Sequence, residues 1–226
     1  MVTVYTDGVE SGDEAARARQ RDLVRRGYDA ISLAYRGDGQ AASASADVHH
    51  YAGWVSELAG LLRRGARVVD LGCGAGIPAT RELTRRGLQV VGVDFSAVQL
   101  KRARRVAPAA GLVQADMAAL QFAPASLDAV VSFYALIHVP LADQRALFPR
   151  IRSWLRPAGL FLAIVGAPPW TGTERYLGAG MFRDHAGTGS YLDWLEEAGF
   201  VPQWDRFIPE GNGRHSLILA RAAAVT

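Results

Sequence analysis

Two acidic residues bracketing a cluster of glycines are the first part of this chain with chemical consequences. The run Val68-Val69-Asp70-Leu71-Gly72-Cys73-Gly74-Ala75-Gly76 carries a short apolar segment straight into closely spaced glycines. Glycine is required where a ligand must approach the backbone without meeting a Cβ. Asp94 closes the next apolar run, Val90-Val91-Gly92-Val93, and an acid so placed accepts hydrogen bonds from both hydroxyls of a ribose. The pair implies a nucleoside-bearing cofactor. Two details narrow the choice. A dinucleotide fingerprint needs glycine or alanine at position 77, where Ile77 stands. Asp70 also sits just before the glycines, where its charge disfavours a pyrophosphate and suits a cationic amino group with no phosphate near it.

Further side chains follow in order. Asp116, in Gln114-Ala115-Asp116-Met117, is placed either to accept from an adenine amino group or to cap a helix. Asp128-Ala129-Val130-Val131-Ser132-Phe133 reads as a strand ending beside the reacting end of the cofactor, and Tyr134 and His138 follow it. A neutral imidazole with a pKa near ~6.5 suits a general base for a hydroxyl or ammonium acceptor; the competing reading is a histidine that packs the pocket floor. Residues 166–188 are rich in Gly, Pro and aromatics and include Trp170, Met181, Phe182 and His185. Such an insertion is read as an acceptor lid, with His185 on a loop reaching over the acceptor. His49, His50 and His215 have weaker claims.

These residues need a scaffold. Apolar runs at 68–72, 90–94, 112–114, 127–133 and 160–165 alternate with helical stretches, which predicts a parallel, doubly wound sheet. Ser96 is read as a helix N-cap, Pro78 as a first-turn residue and Pro149 as a kink or restart in a helix from 141 to 155. The end differs: Trp204–Ile208, a Pro-Glu-Gly-Asn-Gly turn and Ser216–Ala220 read as an antiparallel hairpin. The expected fold is therefore α/β, with a mostly parallel, Rossmann-like sheet of seven strands ending in a β-hairpin and preceded by an N-terminal helical lid. Within one domain, residues 1–64 form the lid, 65–166 the cofactor-binding core, 167–190 the acceptor-lid insertion and 191–226 the last helix and hairpin. Residues 37–46, rich in Gly, Ala and Ser, read as a loop within the lid.

The order of glycine loop, ribose acid, adenine acid and post-strand segment resembles the class I S-adenosylmethionine-dependent methyltransferases, closely over residues 66–166 and loosely elsewhere. Leu155-Arg156-Pro157-Ala158-Gly159 resembles that family's turn before its fifth strand. The resemblance implies S-adenosyl-L-methionine as cofactor and a site lined by Asp70, Gly72, Cys73, Gly74, Asp94, Phe95, Ser96, Asp116, Met117 and Phe133. Tyr28 and Tyr35 resemble tyrosines that close over the methionine end. His138 and Tyr134 take the catalytic positions, and Trp170, Met181, Phe182 and His185 the acceptor side. Ala135-Leu136-Ile137-His138-Val139-Pro140 resembles a bacterial small-molecule group related to quinone-biosynthesis enzymes, which modify oxygen, nitrogen or carbon. The Asn/Asp-Pro-Pro-aromatic run of base and amide methylating enzymes is missing, as are the acidic ligands of metal-dependent relatives.

Composition limits the alternatives. The chain has 226 residues, a formal charge of +3 and half its residues hydrophobic, within the range of one α/β domain with an adequate core. Cys73 is the only cysteine, so no internal disulfide forms. Neither a membrane span nor a signal peptide is read, and a cytoplasmic monomer or homodimer is expected. Basic residues gather at 17–26, 81–86 and 101–105. Either they complement helix ends, or they track phosphates, as an RNA-modifying enzyme would require. A cofactor-binding protein of the same fold without catalysis is the other rival. The expected partner is a small-molecule acceptor, with no nucleic acid, membrane or metal.

Overall fold

Buried residues alternate between the two faces of each central strand, and this period of two builds the core. The computed structural model describes residues 3–4, 12–37, 46–210 and 213–224. A short strand β1 (Thr3–Val4) precedes helices α1 (Gly12–Tyr35) and α2 (Ala46–Gly60). Then come β2 (Arg67–Leu71), α3 (Ala79–Arg85), β3 (Gln89–Asp94), α4 (Ala97–Val106), β4 (Gly111–Gln114), β5 (Leu120–Gln121) and β6 (Leu127–Ser132). The chain continues through α5 (Leu141–Trp154), β7 (Leu155–Gly166), β8 (Trp170–Tyr176), β9 (Ala179–His185), α6 (Thr188–Glu197), β10 (Phe200–Glu210) and β11 (Gly213–Ala222).

Seven strands form the main sheet in the order β10-β11-β7-β6-β2-β3-β4. From β7 to β4 all neighbours are parallel, while β11 and β10 add antiparallel. On one face Val69, Val130, Phe161 and Ile218 pack with Leu147, Phe148 and Ile151 of α5 and Tyr191 of α6. On the other, Val68, Val131, Leu162 and Leu217 pack with Val55 and Leu58 of α2 and Leu83 of α3. Coverage on both faces explains why these strands read as nearly continuous apolar runs. The chain leaves β2 toward β3 on one side and returns to β6 on the other, so strand order reverses there. The carboxyl ends of strands at such a switch point leave a crevice for ligands.

Several expectations are corrected. Residues 166–188 are not a loop: β8 and β9 pair antiparallel from Trp170↔His185 to Tyr176↔Ala179, and β9 packs against α1. Alternation of side chains in a short two-stranded hairpin is weak beside its Gly and Pro content, which is what the loop reading followed. Pro149 neither kinks nor restarts α5, which runs through it as one helix with that residue exposed. Pro78 stands at the N-cap of α3, one residue before its first turn. Strand β7 begins at Leu155 rather than 160, so Leu155–Gly159 lies within it. Residues 38–45 of the expected 37–46 loop, and the side chains of His49 and His50, lie outside the described residues.

Candidate active site

The glycine loop is shaped by left-handed backbone at Gly72 (φ 73°) and Gly74 (φ 54°). At Gly72 a Cβ would lie 2.1 Å from that of Ala135, so glycine lets the loop pass the segment after β6. At Gly74 a Cβ would meet nothing within 4 Å, so the backbone faces open space. Asp94 folds back onto this loop, its Oδ2 accepting from the Gly74 amide at 2.9 Å and its Oδ1 from the Ser96 amide at 2.8 Å. Asp70 accepts from Thr80 Oγ1 at 2.6 Å. Burial pushes both carboxyls up to about 6, against the opposing pull of these hydrogen bonds.

A cleft of about 700 Å³ opens at the switch point, walled by Tyr28, Tyr35, Gly72, Gly74, Asp94, Phe95, Asp116, Met117, Phe133, Tyr134 and His138. An adjoining recess of about 430 Å³ contains Asp70 and Cys73 together with Arg36. The Arg36 guanidinium lies over Tyr35 and Tyr51 at 4.9 and 5.0 Å from the ring centroids. Asp116 serves both roles considered for it. Its Oδ1 caps the turn at Met117–Ala119 by accepting from the Ala118 amide at 2.9 Å, while its Oδ2 lies 3.1 Å from Arg21 Nε at the cleft wall.

Helix α1 roofs the cleft. Arg21 ties it to Asp116, to Asp143 at the start of α5 and to Glu14 within the helix. Tyr28, one face-repeat further on, hydrogen-bonds His138 Nε2 at 2.9 Å. His138 Nδ1 lies 2.7 Å from the Phe182 carbonyl oxygen. A carbonyl only accepts, so Nδ1 carries the proton, Nε2 holds the lone pair and the Tyr28 hydroxyl donates to it. Burial, reinforced by Arg183, pushes the His138 imidazole down to about 4. Its one basic nitrogen is therefore occupied by a protein donor, and the ring joins α1, the segment after β6 and strand β9. Tyr134 stands in left-handed backbone (φ 58°), its ring between those of Tyr51 and His215 at 5.5 and 5.1 Å. Strained backbone of this kind clusters at functional sites.

Ser96 corrects another expectation. It is buried and lines neither space: its hydroxyl accepts from the Gln99 amide to cap α4 and donates to Asp29, so it supports Asp94 from behind. Trp170, Met181, Phe182 and His185 are likewise outside the cleft wall. Met181 and Phe182 are buried, Met181 against Gly27 of α1, while Trp170 is exposed and stacks on His185 at 6.3 Å. Arg21, Arg36 and Gln99 reach the two spaces but were not singled out. Only the docking of α1 across residues distant in sequence reveals them, so no local signal could have.

The residues present fit a cationic, phosphate-free nucleoside. Two buried carboxylates partnered only by a hydroxyl and amides would repel a pyrophosphate and welcome hydroxyl and ammonium donors. Arg36 and Asp70, which line the same recess, would hold the two ends of an amino acid, Asp94 a ribose, and Phe95, Met117 and Asp116 an adenine. Among the described residues, no three His, Cys, Asp or Glu side chains gather in a metal-binding arrangement.

Fold and site together resemble those of the class I S-adenosylmethionine-dependent methyltransferases. Residues 68–159 match the family model described as a methyltransferase domain. A sterol 24-C-methyltransferase of Aspergillus fumigatus is 32% identical over 121 residues, covering 51% of this chain and 30% of that protein. A botryococcene C-methyltransferase of Botryococcus braunii is 28% identical over 168 residues, covering 69% and 41%. The chain thus spans less than half the length of these two relatives. Among solved structures, the Burkholderia thailandensis 1,6-didemethyltoxoflavin-N1-methyltransferase, with bound S-adenosylhomocysteine, superposes with a TM-score of 0.69 at 18% identity over 99% of this chain and 95% of that one. The [4+2]-cyclase SpnF gives 0.70 at 17% over 91% and 97%. At these identities the structural likeness shows the fold.

Proposed function

We propose that this protein transfers a methyl group to a small-molecule acceptor, with carbon the first acceptor atom to test. The observation that carries the reading is the pair of buried carboxylates, Asp70 and Asp94, facing a cleft under a helical roof. The names of the sequence relatives, two C-methyltransferases, favour carbon. When bound, the cofactor supplies an electrophilic methyl group together with its own leaving group. The chain's part is then alignment and exclusion of water. Asp94, Asp116 and Asp70 bind and orient, Phe133 and Tyr134 wall the reacting end, and Tyr28 closes it from above. His138, read from the sequence as either a base or a packing residue, acts in this reading through Tyr28: its lone pair fixes the direction of the phenol proton.

Two of the three arginine clusters, 17–26 and 81–86, support a small acceptor over RNA, because most of their charges are paired with carboxylates of the protein. Arg17, Arg21, Arg25 and Arg26 pair with Glu14, Asp22, Asp29, Asp116 and Asp143. Arg81 and Arg85 pair with Glu82, and Arg102 is buried against Ser32 and the Arg36 carbonyl. The [4+2]-cyclase on the same fold motivates one second reading, in which the bound nucleoside takes no part in the reaction. Incubation with methyl-labelled S-adenosylmethionine and small-metabolite extracts separates the two. Methyl transfer gives a labelled product one CH₂ heavier than its precursor, with S-adenosylhomocysteine in equal amount; a cyclase gives an isomer and leaves the label on the cofactor.

A further inference from the structure

Helix α4 starts just after the ribose acid, and its first turn brings one neutral polar side chain to the cleft. Gln99 is 2% exposed and lines the cleft. It is tied to Asp94 through the turn between them: the Gln99 amide donates to Ser96 Oγ at 3.0 Å, and the Ser96 amide donates to Asp94 Oδ1 at 2.8 Å. The roof holds its carboxamide from the other side. Arg102, buried on α4, donates through Nη1 to Ser32 Oγ at 2.6 Å and to the Ser32 carbonyl oxygen, and through Nη2 to the Arg36 carbonyl oxygen. A guanidinium only donates, so the Ser32 hydroxyl must direct its own proton elsewhere, and it donates to Gln99 Oε1 at 2.9 Å. The amide oxygen is thereby turned to α1, which fixes the orientation of the carboxamide and leaves its two N–H donors on the opposite side. Among the described residues no protein acceptor takes Nε2.

We infer that Gln99 couples the cofactor to the roof: its Nε2 donates to a hydroxyl oxygen of the bound ribose while its Oε1 holds Ser32 of α1. This deepens the methyltransferase reading and rests on its cofactor site. The balance of donors and acceptors selects the group. An ionised Asp94 only accepts, so it takes protons from the ribose, whereas each ribose hydroxyl keeps lone pairs that need a donor. The other donors on this side of the cleft are occupied. The Gly74 and Ser96 amides bond Asp94, and Arg21 bonds Asp116, Asp143 and Glu14. Gln99 supplies a neutral donor anchored to the turn that carries Asp94. Its carboxamide is held in one orientation before the ligand arrives, which lowers the entropic cost of the contact. The second end carries the consequence. A ligand bonded to Nε2 holds the side chain in the position that bonds Ser32, so ribose binding and docking of α1 reinforce each other, and the reinforcement is reciprocal.

The test uses the full chain and three probes, S-adenosylhomocysteine and its analogues lacking the 2′- or the 3′-hydroxyl. Calorimetry gives the loss of affinity caused by each missing hydroxyl. Gln99→Met and Gln99→Leu keep the bulk of the side chain and remove the donor. In both, the loss for at least one analogue is expected to shrink by about five-fold relative to the wild type, the worth of one neutral hydrogen bond. Hydrogen exchange reads the roof. S-adenosylhomocysteine should slow amide exchange around Ser32 in the wild type, and the penalised analogue at saturation should slow it less. Ser32→Ala, which breaks the link and leaves the donor, should lose most of that slowing. A Gln99 that only packs would lower the melting temperature and all three affinities together, leaving the losses per hydroxyl unchanged. That result overturns the proposal, as does equal protection of α1 by all three probes. S-adenosylhomocysteine binding in those cases shows that the cofactor site stands without it, whereas no binding of it by the wild type overturns both. Should the Gln99 variants fail to fold, the wild-type exchange comparison and Ser32→Ala decide.

Discussion

Asp94 and His138 are the residues whose settings make the sharpest demands. A carboxyl held near 6 is half protonated at about that pH and mostly ionised at neutrality, and it accepts strongly only when ionised. Cofactor binding that uses the ionised form lowers the carboxyl's pKa, so protons are released near pH 6 and affinity falls as the pH drops below it. We expect S-adenosylhomocysteine to bind about ten-fold more weakly at pH 5 than at pH 7, each ionisation being worth at most a factor of ten per pH unit. Asp94→Asn should bind about ten- to a hundred-fold more weakly at pH 7, from loss of a charge-assisted bond of ~1.5–3 kcal/mol. It should also lose part of the acid dependence. Calorimetry in buffers of different ionisation enthalpy reads both the affinity and the proton release; a flat affinity between pH 5 and 7 would exclude the role. For His138 the sign runs the other way. With its folded pKa pushed down to about 4, the ring stays neutral through the ordinary imidazole range. At saturating cofactor the reaction rate should therefore show no acid limb near 6.5. If His138 works through Tyr28, His138→Gln and Tyr28→Phe should each slow turnover and the double variant should lose little more. Additive losses, or a rate falling through 6.5, would return His138 to the role of independent base.

At the scale of elements, the contact between α1 and β9 decides whether the cleft has a roof. Gly27 lets the two backbones approach: a Cβ there would meet Met181 Sδ at 2.7 Å and the Gly180 carbonyl oxygen at 2.8 Å. The methionine end can swing aside; the carbonyl belongs to the strand and cannot. Gly27→Ala should therefore push helix and hairpin apart at a cost of about 1–3 kcal/mol, the range for overpacked contacts. Tyr28 is the next residue, so the same shift breaks its bond to His138. The expected result is a lowered denaturation midpoint together with weakened S-adenosylhomocysteine binding. A variant of lowered stability and unchanged cofactor affinity would mean that the roof does not depend on this contact. Asp184 anchors the base of the hairpin, accepting from the Leu141 amide at 2.7 Å and from Thr171 Oγ1 at 2.6 Å. Roof, hairpin and α5 thus form one connected cover.

For the molecule as a whole, the small net charge and the internal pairing of its arginines bear on what approaches it. Phosphate contacts release counterions, so binding that rests on a few exposed arginines falls steeply with salt. We expect RNA to bind weakly at 50 mM salt and to lose most of that binding at about 150 mM, as followed by fluorescence anisotropy. Retention of tight binding at the higher salt, or methyl transfer to total RNA, would overturn the small-molecule reading. Among the described residues no helix is long and apolar enough to cross a membrane.

The strands, their parallel order and the terminal hairpin were legible because they rest on local pattern. Apolar runs of fixed length, glycines at strand ends and a turn between two alternating stretches are written in neighbouring residues. That Asp70, Gly72, Gly74 and Asp94 gather at one strand-to-loop mouth was legible for the same reason, since their spacing follows from a strand running into a loop. What the tertiary structure decided are pairings between residues far apart in the chain. Arg21 meets Asp116 and Asp143, Tyr28 meets His138, and His185 meets His215 only once α1 and the hairpin have docked over the sheet edge. The state of His138 depends on those pairings. Read alone it is an imidazole near ~6.5 and a ready base; enclosed between the Phe182 carbonyl and the Tyr28 hydroxyl it has a fixed tautomer and no free lone pair. The sequence determines which groups are present, while burial and partners, properties of the assembled fold, determine what those groups can do.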